Sequence, residues 1–413
     1  MKQGFFKVVS TAEFVSLLQG FSRLDAETCS IENAYGRVLA EDAAAREDLP
    51  LMSRSGMDGY AVIARDVFGA SESNPAYLEK VADLAVDERP SFELQPGHCT
   101  GILTGGGLPE GADAVVMVEH TEDLGGGTIE VRKSAAPGDN VMLRGEDSEA
   151  GETALTAGTP LRAQEIGLLA ALGHSEIRVG RRPRCAIIST GDEILPIEET
   201  PRPGQVRDVN SHALSALVEA AGGIPVKSGL VRDDPQALAE ALEKALNDCD
   251  AVFVSGGSSV GTRDYTLGCL EAIEDSEILA HGVAVSPGKP TILARAGRKA
   301  VIGLPGQVTS AQVVMYVFCM PFIRRLMGDS GAFDPMRRPV RPARLSRNVA
   351  SKPGREDYVR VRLTGDGSQT LLAEPLLGKS GLLTTMIRAQ ALVRIPADTE
   401  GLAKNEEVEA WLI

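Results

Sequence analysis

The apolar positions of this chain fall into four textures. Residues 10–20 open on Ser10-Thr11-Ala12-Glu13 and carry Phe14, Val15, Leu17 and Leu18, the pattern of a short capped amphipathic helix. Residues 31–45, with Tyr35, Val38 and Leu39 apolar, predict a second helix, ended by Asp48-Leu49-Pro50-Leu51. From Arg54 the pattern becomes short apolar runs broken by turns: 60–63, 77–84, 114–119 and 128–132, the last preceded by a glycine triplet at 125–127. These predict a small β-rich domain. A helical period returns at 163–172 and stops at Gly173. This helix is expected to rejoin the N-terminal helices, so that the β-rich part is an insertion into a discontinuous first domain.

Beyond Arg181-Arg182-Pro183 the chain alternates. Apolar strands are expected at 185–189, 226–231, 251–254, 291–294 and 300–303, and helices at 210–221, 235–246 and 307–327. Pro235 suits a first helical position. Such alternation predicts an α/β fold, a doubly wound parallel sheet whose ligands sit beyond the carboxyl ends of the strands. Residues 329–342 read as a Pro-rich linker, and 343–413 alternate apolar and polar as in a small β-barrel or sandwich. The expected division is 1–50 with 148–180 as a discontinuous domain I, 51–147 as a β-rich domain II, 181–328 as domain III and 329–413 as domain IV.

Composition narrows the function. The 413 residues suit roughly two to four domains. A net charge of −15 and only 4% aromatic residues argue against a nucleic-acid surface and against anionic membranes. The six cysteines are scattered, none in a C-x-x-C pair, and read as buried reduced thiols. The N-terminal residues lack a signal-peptide core, and 308–323 is too short and too polar to span a membrane. A cytoplasmic protein is expected. The five histidines show no ligand spacing and there is no G-x-S-x-G elbow, so neither a zinc enzyme nor a serine hydrolase is indicated.

The chemistry concentrates in loops after strands. Residues 251–266, AVFVSGGSSVGTRDYT, run from a buried strand into Ser255-Gly256-Gly257-Ser258-Ser259-Val260-Gly261. Glycines let backbone N–H groups approach and cradle phosphate, and the serine hydroxyls add donors. Three further loops should converge there: Ser189-Thr190-Gly191-Asp192-Glu193, Arg232-Asp233-Asp234, and Ser286-Pro287-Gly288-Lys289-Pro290. Carboxylates beside a phosphate call for a divalent cation, Mg²⁺ on Asp233, Asp264 and Glu193. Asp234, before Pro235, is better placed as a helix cap. Gly288-Lys289 lacks P-loop spacing, so Lys289 is taken as a fixed cation. Gly303-Leu304-Pro305-Gly306 opens the helix at 307, whose N-terminus is a second expected anion site. In the β-rich part, Ser53–Tyr60, Thr104-Gly105-Gly106-Gly107 and Arg144-Gly145-Glu146-Asp147 are over-furnished for turns and suggest a cleft wall.

In order along the chain, these stretches resemble the MoeA family of molybdopterin molybdenumtransferases, which includes the gephyrin E domain. The matching segments are Ser55-Gly56-Met57-Asp58-Gly59-Tyr60-Ala61-Val62, Leu103-Thr104-Gly105 with Pro109-Glu110-Gly111-Ala112-Asp113-Ala114-Val115-Val116, Arg144-Gly145-Glu146-Asp147, Ser189–Glu193, Asp208-Val209-Asn210, Gly256-Gly257 to Asp264-Tyr265, Pro287-Gly288-Lys289-Pro290 and Gly303-Leu304-Pro305-Gly306. The resemblance implies a MogA-like domain III, a C-terminal β-barrel, and an elongated homodimer whose cleft joins domain III of one subunit to domain II of the other. It implies adenylated molybdopterin and molybdate as substrates, Mg²⁺ as helper, and AMP as product. Asp233, Asp264 and Glu193 would manage the metal and cleavage, with Asp58, Thr104 and Asp147 acting from the partner subunit. Ser189, Thr190, Gly191, Asp192, Gly256, Gly257, Ser258, Ser259, Gly261, Pro287, Gly288, Pro305 and Gly306 would bind the cofactor, and Lys289, Arg360 and Ser380 would receive molybdate. A molybdopterin adenylyltransferase and molybdoenzyme maturation proteins are the implied neighbours in the pathway. The chain has Gly56 for the family's usual Ala, Ser258 for Val, and Gly306-Gln307-Val308-Thr309-Ser310 for Gly-Asn-Pro-Val-Ser. A non-catalytic carrier or scaffold, a tungstate-handling paralogue and an adenylyltransferase are the competing readings.

Overall fold

The computed structural model describes residues 8–256, 260–365 and 371–413, with backbone alone for 260–265. Helix α1 (Thr11–Gln19) starts where expected: Ser10 Oγ accepts from the Glu13 N–H at 3.1 Å. Its buried Phe14 and Leu18 pack into the core of the α/β unit, where Phe14 meets Phe318 edge-on with centroids 5.0 Å apart. Residues 31–45 are not a helix. A 3₁₀ turn at Ile31–Asn33 is cut off by Gly36, whose φ of +75° no α-helix contains. The backbone then pairs laterally instead: the Gly180 N–H donates to Val38 O, and the Ala40 N–H to Arg178 O.

The β-rich part holds a six-stranded sheet, beside a two-stranded pairing of Arg54–Ser55 with Val141–Met142. The sheet comprises β1 (Gly59–Val62), β2 (Ala76–Leu84), β3 (His98–Ile102), β4 (Ala114–Met117), β5 (Thr121–Asp123) and β6 (Thr128–Val131), in the order β4-β1-β3-β2-β6-β5. The glycine triplet joins β5 and β6 as a hairpin. Helix α2 (Ala163–Ala171) packs Leu169 against Cys29, Leu39 and Ala43. It therefore rejoins the N-terminal segment, but not α1.

The α/β unit holds β7 (Arg184–Thr190), α3 (Asn210–Ala220), β8 (Ile224–Val231), α4 (Pro235–Asp248), β9 (Ala251–Gly256), α5 (Val260–Ala272), β10 (Ser276–His281), β11 (Ile292–Ala296), β12 (Lys299–Leu304), α6 (Val308–Val314) and α7 (Met320–Leu326). The sheet order is β8-β7-β9-β12-β11-β10. The sheet is mixed rather than all parallel. The first four strands are parallel, and β11 pairs antiparallel with both β12 and β10, so β11 runs against the other five, because Gly297 and its neighbours turn β11 directly back into β12 without a helical crossover. Successive strand residues face opposite layers. Ile187, Phe253 and Ile302 meet Leu214, Phe318 and Phe322 on one side. Ile188, Val252 and Val301 meet Leu238, Leu242 and Leu270 on the other. Burial on both faces is why these strands read as unbroken apolar runs.

The long helix expected at 307–327 is α6, a π-helical turn at Met315–Cys319, and α7. Pro321 has no N–H for the Val317 carbonyl four residues back. Arg338 supplies it, donating Nη2 to Val317 O at 3.1 Å while stacking 4.3 Å over Trp411. That contact ties the linker and the last domain to the helix.

The C-terminal unit comprises β13 (Val340–Leu345), β14 (Glu356–Gly365), β15 (Leu371–Pro375), α8 (Thr384–Arg388), β16 (Ala391–Ile395) and β17 (Glu407–Leu412). Strand order β14-β15-β13-β17-β16 returns to β14 and closes a five-stranded barrel. Among the described residues no helix is long and apolar enough to cross a membrane. All six cysteines are buried and none forms a disulfide, and burial pushes Cys99 up to about 12 and Cys185 and Cys319 well upward, so these three are not ready thiolates.

Candidate functional site

The carboxyl ends of β7, β8, β9 and β12 lie side by side, with Thr190 opposite both Val231 and Gly256, and Ser255 opposite Leu304. Consecutive side chains at the end of β7 serve opposite sides. Ser189 Oγ donates to Asp208 Oδ1 at 3.0 Å, on the α3 side. Thr190 Oγ1 donates to Asp233 Oδ1 at 2.9 Å. The Asp233 N–H in turn reaches Asp192 Oδ1 at 3.2 Å. Two predicted loops, 189–193 and 232–234, are thus fastened together, with a second carboxylate oxygen of Asp233 left for a ligand. Asp234 caps α4 by accepting from the Ala237 N–H at 2.8 Å, as its position before Pro235 predicts.

Glu193 and Asp192 are exposed, and Glu193 Oε2 lies over the backbone of Gly191. Among the described residues no group of three acids, histidines or cysteines is close enough to hold a metal. The expected triad includes Asp264. Gly257, Ser258 and Ser259, and the side chain of Asp264 with the neighbourhood of Gly261, lie outside the described residues. Asp192 and Asp233 are hard oxygen donors just beyond the ends of the neighbouring strands β7 and β8. That fits Mg²⁺, which is commonly held by one or two carboxylates with substrate phosphate and water completing its shell.

The fourth loop sits at the seam with the barrel. Val285–Ser286 pairs in parallel with Glu356–Asp357, and the Thr291 N–H and hydroxyl both donate to Gly288 O. Lys289 is exposed, and Pro287 is half-buried. The first turn of α6 is fixed to the barrel: Thr309 N–H and Oγ1 donate to Ser380 O at 3.2 and 2.6 Å. Arg360 is 8% exposed and directs Nη1 to Thr385 Oγ1 and Nη2 to Gly378 O, so it braces the loop that carries Ser380. Burial lowers its pKa.

The β-rich unit supplies a second acidic group. Thr104 donates both its N–H and its hydroxyl to Asp58 Oδ1, at 2.6 and 2.7 Å, and these bonds hold the Asp58 carboxyl below its ordinary range. The stabilisation is present above the unfolded-state pKa and is lost as pH falls through the lower folded one. Thr104→Val, which removes the lesser of the two donors, should move the Asp58 midpoint part of the way back up in a carbon-13 NMR titration. An unmoved midpoint would assign the whole effect to the N–H. Asp147 is exposed, and its loop is pinned by Asp48, whose Oδ2 takes Arg144 Nε at 2.5 Å and whose Oδ1 takes the Ala150 N–H at 2.8 Å. Among the described residues no hydrogen bond or ion pair joins 51–147 to the α/β unit.

Sequence reasoning missed two positions. Asp48 was passed over as part of a helix-breaking run. Asn210 was quoted only within a motif, yet Nδ2 bonds Ser255 Oγ at 2.5 Å and Gly306 O at 2.9 Å. An amide and an acid two residues apart, just ahead of a helix, were the available signal.

Against known proteins, residues 9–173 match the MoeA N-terminal region (domain I and II). Residues 186–325 match a probable molybdopterin binding domain, and 342–413 the MoeA C-terminal region (domain IV). The chain is 35% identical over 391 residues to the molybdopterin molybdenumtransferase of Nostoc sp., covering 94% of this chain and 88% of that protein. The chain belongs to the MoeA family. A Bacillus subtilis molybdopterin molybdenumtransferase is 31% identical, with 94% and 90% covered. Two MoeA crystal structures from Pyrococcus horikoshii superpose with TM-scores of 0.82 and 0.75 at 31% and 37% identity. Each covers 98% of this chain, and the chain covers 100% and 99% of them. The MoeA relationship agrees with the architecture above, the α/β unit falling in the molybdopterin binding match and the closed barrel in the domain IV match.

Proposed function

We propose that this MoeA-family chain is a molybdopterin molybdenumtransferase, which inserts molybdenum from molybdate into adenylated molybdopterin and releases AMP. The observation that carries the reading is the junction of Thr190, Asp192 and Asp233 at the carboxyl ends of the parallel strands, inside the segment that matches a molybdopterin binding domain. Gly256 and the Gly/Ser run after it, with Ser189–Asp192, Pro287-Gly288-Lys289 and Pro305-Gly306, would bind the pterin and its phosphates. Asp233, Asp264 and Glu193 would hold Mg²⁺, which when bound neutralises phosphate charge. Asp233 keeps one oxygen on Thr190 and presents the other to the phosphate side, and Asp264 would manage the departing adenylate with it. Lys289, exposed in its loop, would be the cation for molybdate, with Ser380 and Arg360 as the further expected contacts.

Among the described residues Asp58, Thr104 and Asp147 have no direct hydrogen bond or ion pair to this site, and exposed Met57, Leu103 and Leu143 stand near them in sequence. Polar groups ringed by exposed apolar side chains suit a face covered by another molecule. This supports a homodimer in which the three residues act on the partner's α/β domain, and sedimentation should find two chains.

The function is tested by AMP release from adenylated molybdopterin with purified protein, Mg²⁺ and molybdate. Molybdate-dependent release, with active cofactor appearing in step, is the expected result. Tight binding without release would replace the enzyme by a carrier. Asp264→Ala should retain binding but slow release by ~100-fold, within the range of acid–base and charge effects. Unchanged release would remove Asp264 from the mechanism.

A further inference from the structure

We infer that Asn210 is a positioning residue of the cofactor site, bridging the carboxyl ends of β9 and β12 from the first position of α3. The inference rests on the molybdopterin reading above. Both protons of Nδ2 are used, one on Ser255 Oγ and one on Gly306 O. Ser255 is wholly buried and is followed in sequence by Gly256 and the Gly/Ser run. Gly306 ends the turn by which the chain leaves the sheet for α6. The two strands are paired up to Ser255 and Leu304. Beyond that rung no further ladder pair is found among the described residues, and the amide links Ser255 to Gly306. Two residues earlier, Asp208 Oδ1 receives Ser189 Oγ and the Ser211 N–H, each at 3.0 Å, so Asp208-Val209-Asn210 reaches the ends of β7, β9 and β12 together.

The acceptor half of the same amide argues for a role beyond stability. Asn210 is 8% exposed and its Oδ1 is buried without a hydrogen-bond partner among the described residues. Flipping the amide would not help, because Oδ1 would then face the Gly306 carbonyl. A buried acceptor without a donor is unfavourable, and an apolar side chain would fill the space without that penalty. An apolar side chain cannot hold Ser255 and Gly306 at one separation. The bridge therefore sets the spacing between two loops that must contact one ligand.

The test compares Asn210→Ala and Ser255→Ala with the wild-type protein. For Asn210→Ala, KM for adenylated molybdopterin should rise at least tenfold, while kcat at saturation stays within threefold and KM for molybdate is unchanged. Ser255→Ala cuts one arm of the same bridge and should raise the same KM by at least threefold, and an unchanged KM there overturns the bridge. A merely structural role would reduce the folded fraction, lowering kcat at constant KM, and that pattern overturns the inference. The second readout is amide hydrogen exchange over residues 306–311, expected to be at least tenfold faster in Asn210→Ala. Unchanged exchange overturns the bridge. The exchange needs no substrate. A wild-type protein that neither binds molybdopterin nor releases AMP would sink the functional reading, while the exchange still decides the role of Asn210.

Discussion

Replacing Asp233 by Asn is expected to slow AMP release by about 10³-fold while leaving molybdopterin affinity within threefold of wild type. The substitution is isosteric and keeps an oxygen for Thr190 Oγ1, which now donates at 2.9 Å. What it removes is the negative charge, and with it the group that would hold the cation and meet the phosphate side of the substrate. Half-buried at the end of β8, Asp233 has no packing role that Asn would upset, so melting should move by no more than a degree or two. Thr190→Val is the informative companion. It keeps the charge and loses the aim, and should reduce release by about tenfold, since misplacement of a reacting group is itself expensive. Single-turnover release with pre-bound substrate separates the two effects from binding. Equal rates for Asp233→Asn and wild type would remove this carboxylate from the chemistry and leave the strand-end cluster as a binding site alone.

Much of this was legible in the sequence because physics made it periodic. Buried parallel strands such as Ala251–Gly256 read as continuous apolar runs, and the helix at Pro235 carries its own start signal in Asp234 and Pro235. Asp234 was identified as a cap because the cap is a local interaction. What failed was non-local. Tyr35, Val38 and Leu39 are spaced like a helix face, but Tyr35 is exposed while Val38 and Leu39 are buried through bridges to Pro160 and Val179, over a hundred residues away. The reversed direction of β11 was invisible for the same reason: strand period is identical in parallel and antiparallel sheets. The docking of α1 on Phe318 rather than on α2 depends on a partner 304 residues later, which no local pattern encodes. The site behaved alike. Individual loops announced themselves by glycine and acid content, whereas the fastening of Thr190 to Asp233, of Asn210 to Gly306 and of Thr309 to Ser380 needed the fold.

The second large effect is expected at Gly256, and it is one of backbone rather than chemistry. Gly256→Ala should lower the melting temperature by about 10 °C and reduce molybdopterin binding by at least a hundredfold. The residue has φ +139°, which side-chain-bearing residues rarely adopt. A Cβ there would lie 2.0 Å from Thr190 O and 2.8 Å from Thr190 Cγ2. Neither neighbour can withdraw cheaply. Thr190 and Gly256 are opposed in two central parallel strands, and the Thr190 side chain is already committed to Asp233. Backbone strain of order 1–3 kcal/mol and overpacking of similar size together give about 3 kcal/mol or more. At roughly 2–4 °C per kcal/mol for a domain of this size, that yields the expected shift. The functional loss follows from the same collision. Moving the end of β7 re-aims Thr190, hence Asp233, and moving the end of β9 displaces the start of the Gly/Ser run. Gly268→Ala is the control. It is exposed in α5 with nothing within 4 Å of an added Cβ, so it should be neutral or stabilise by up to about 1 kcal/mol. Gly256→Ala melting within 2 °C of wild type, with binding intact, would mean that the strand ends give way more readily than their register allows. The close approach of Gly256 to Thr190 would then no longer explain how the site is held.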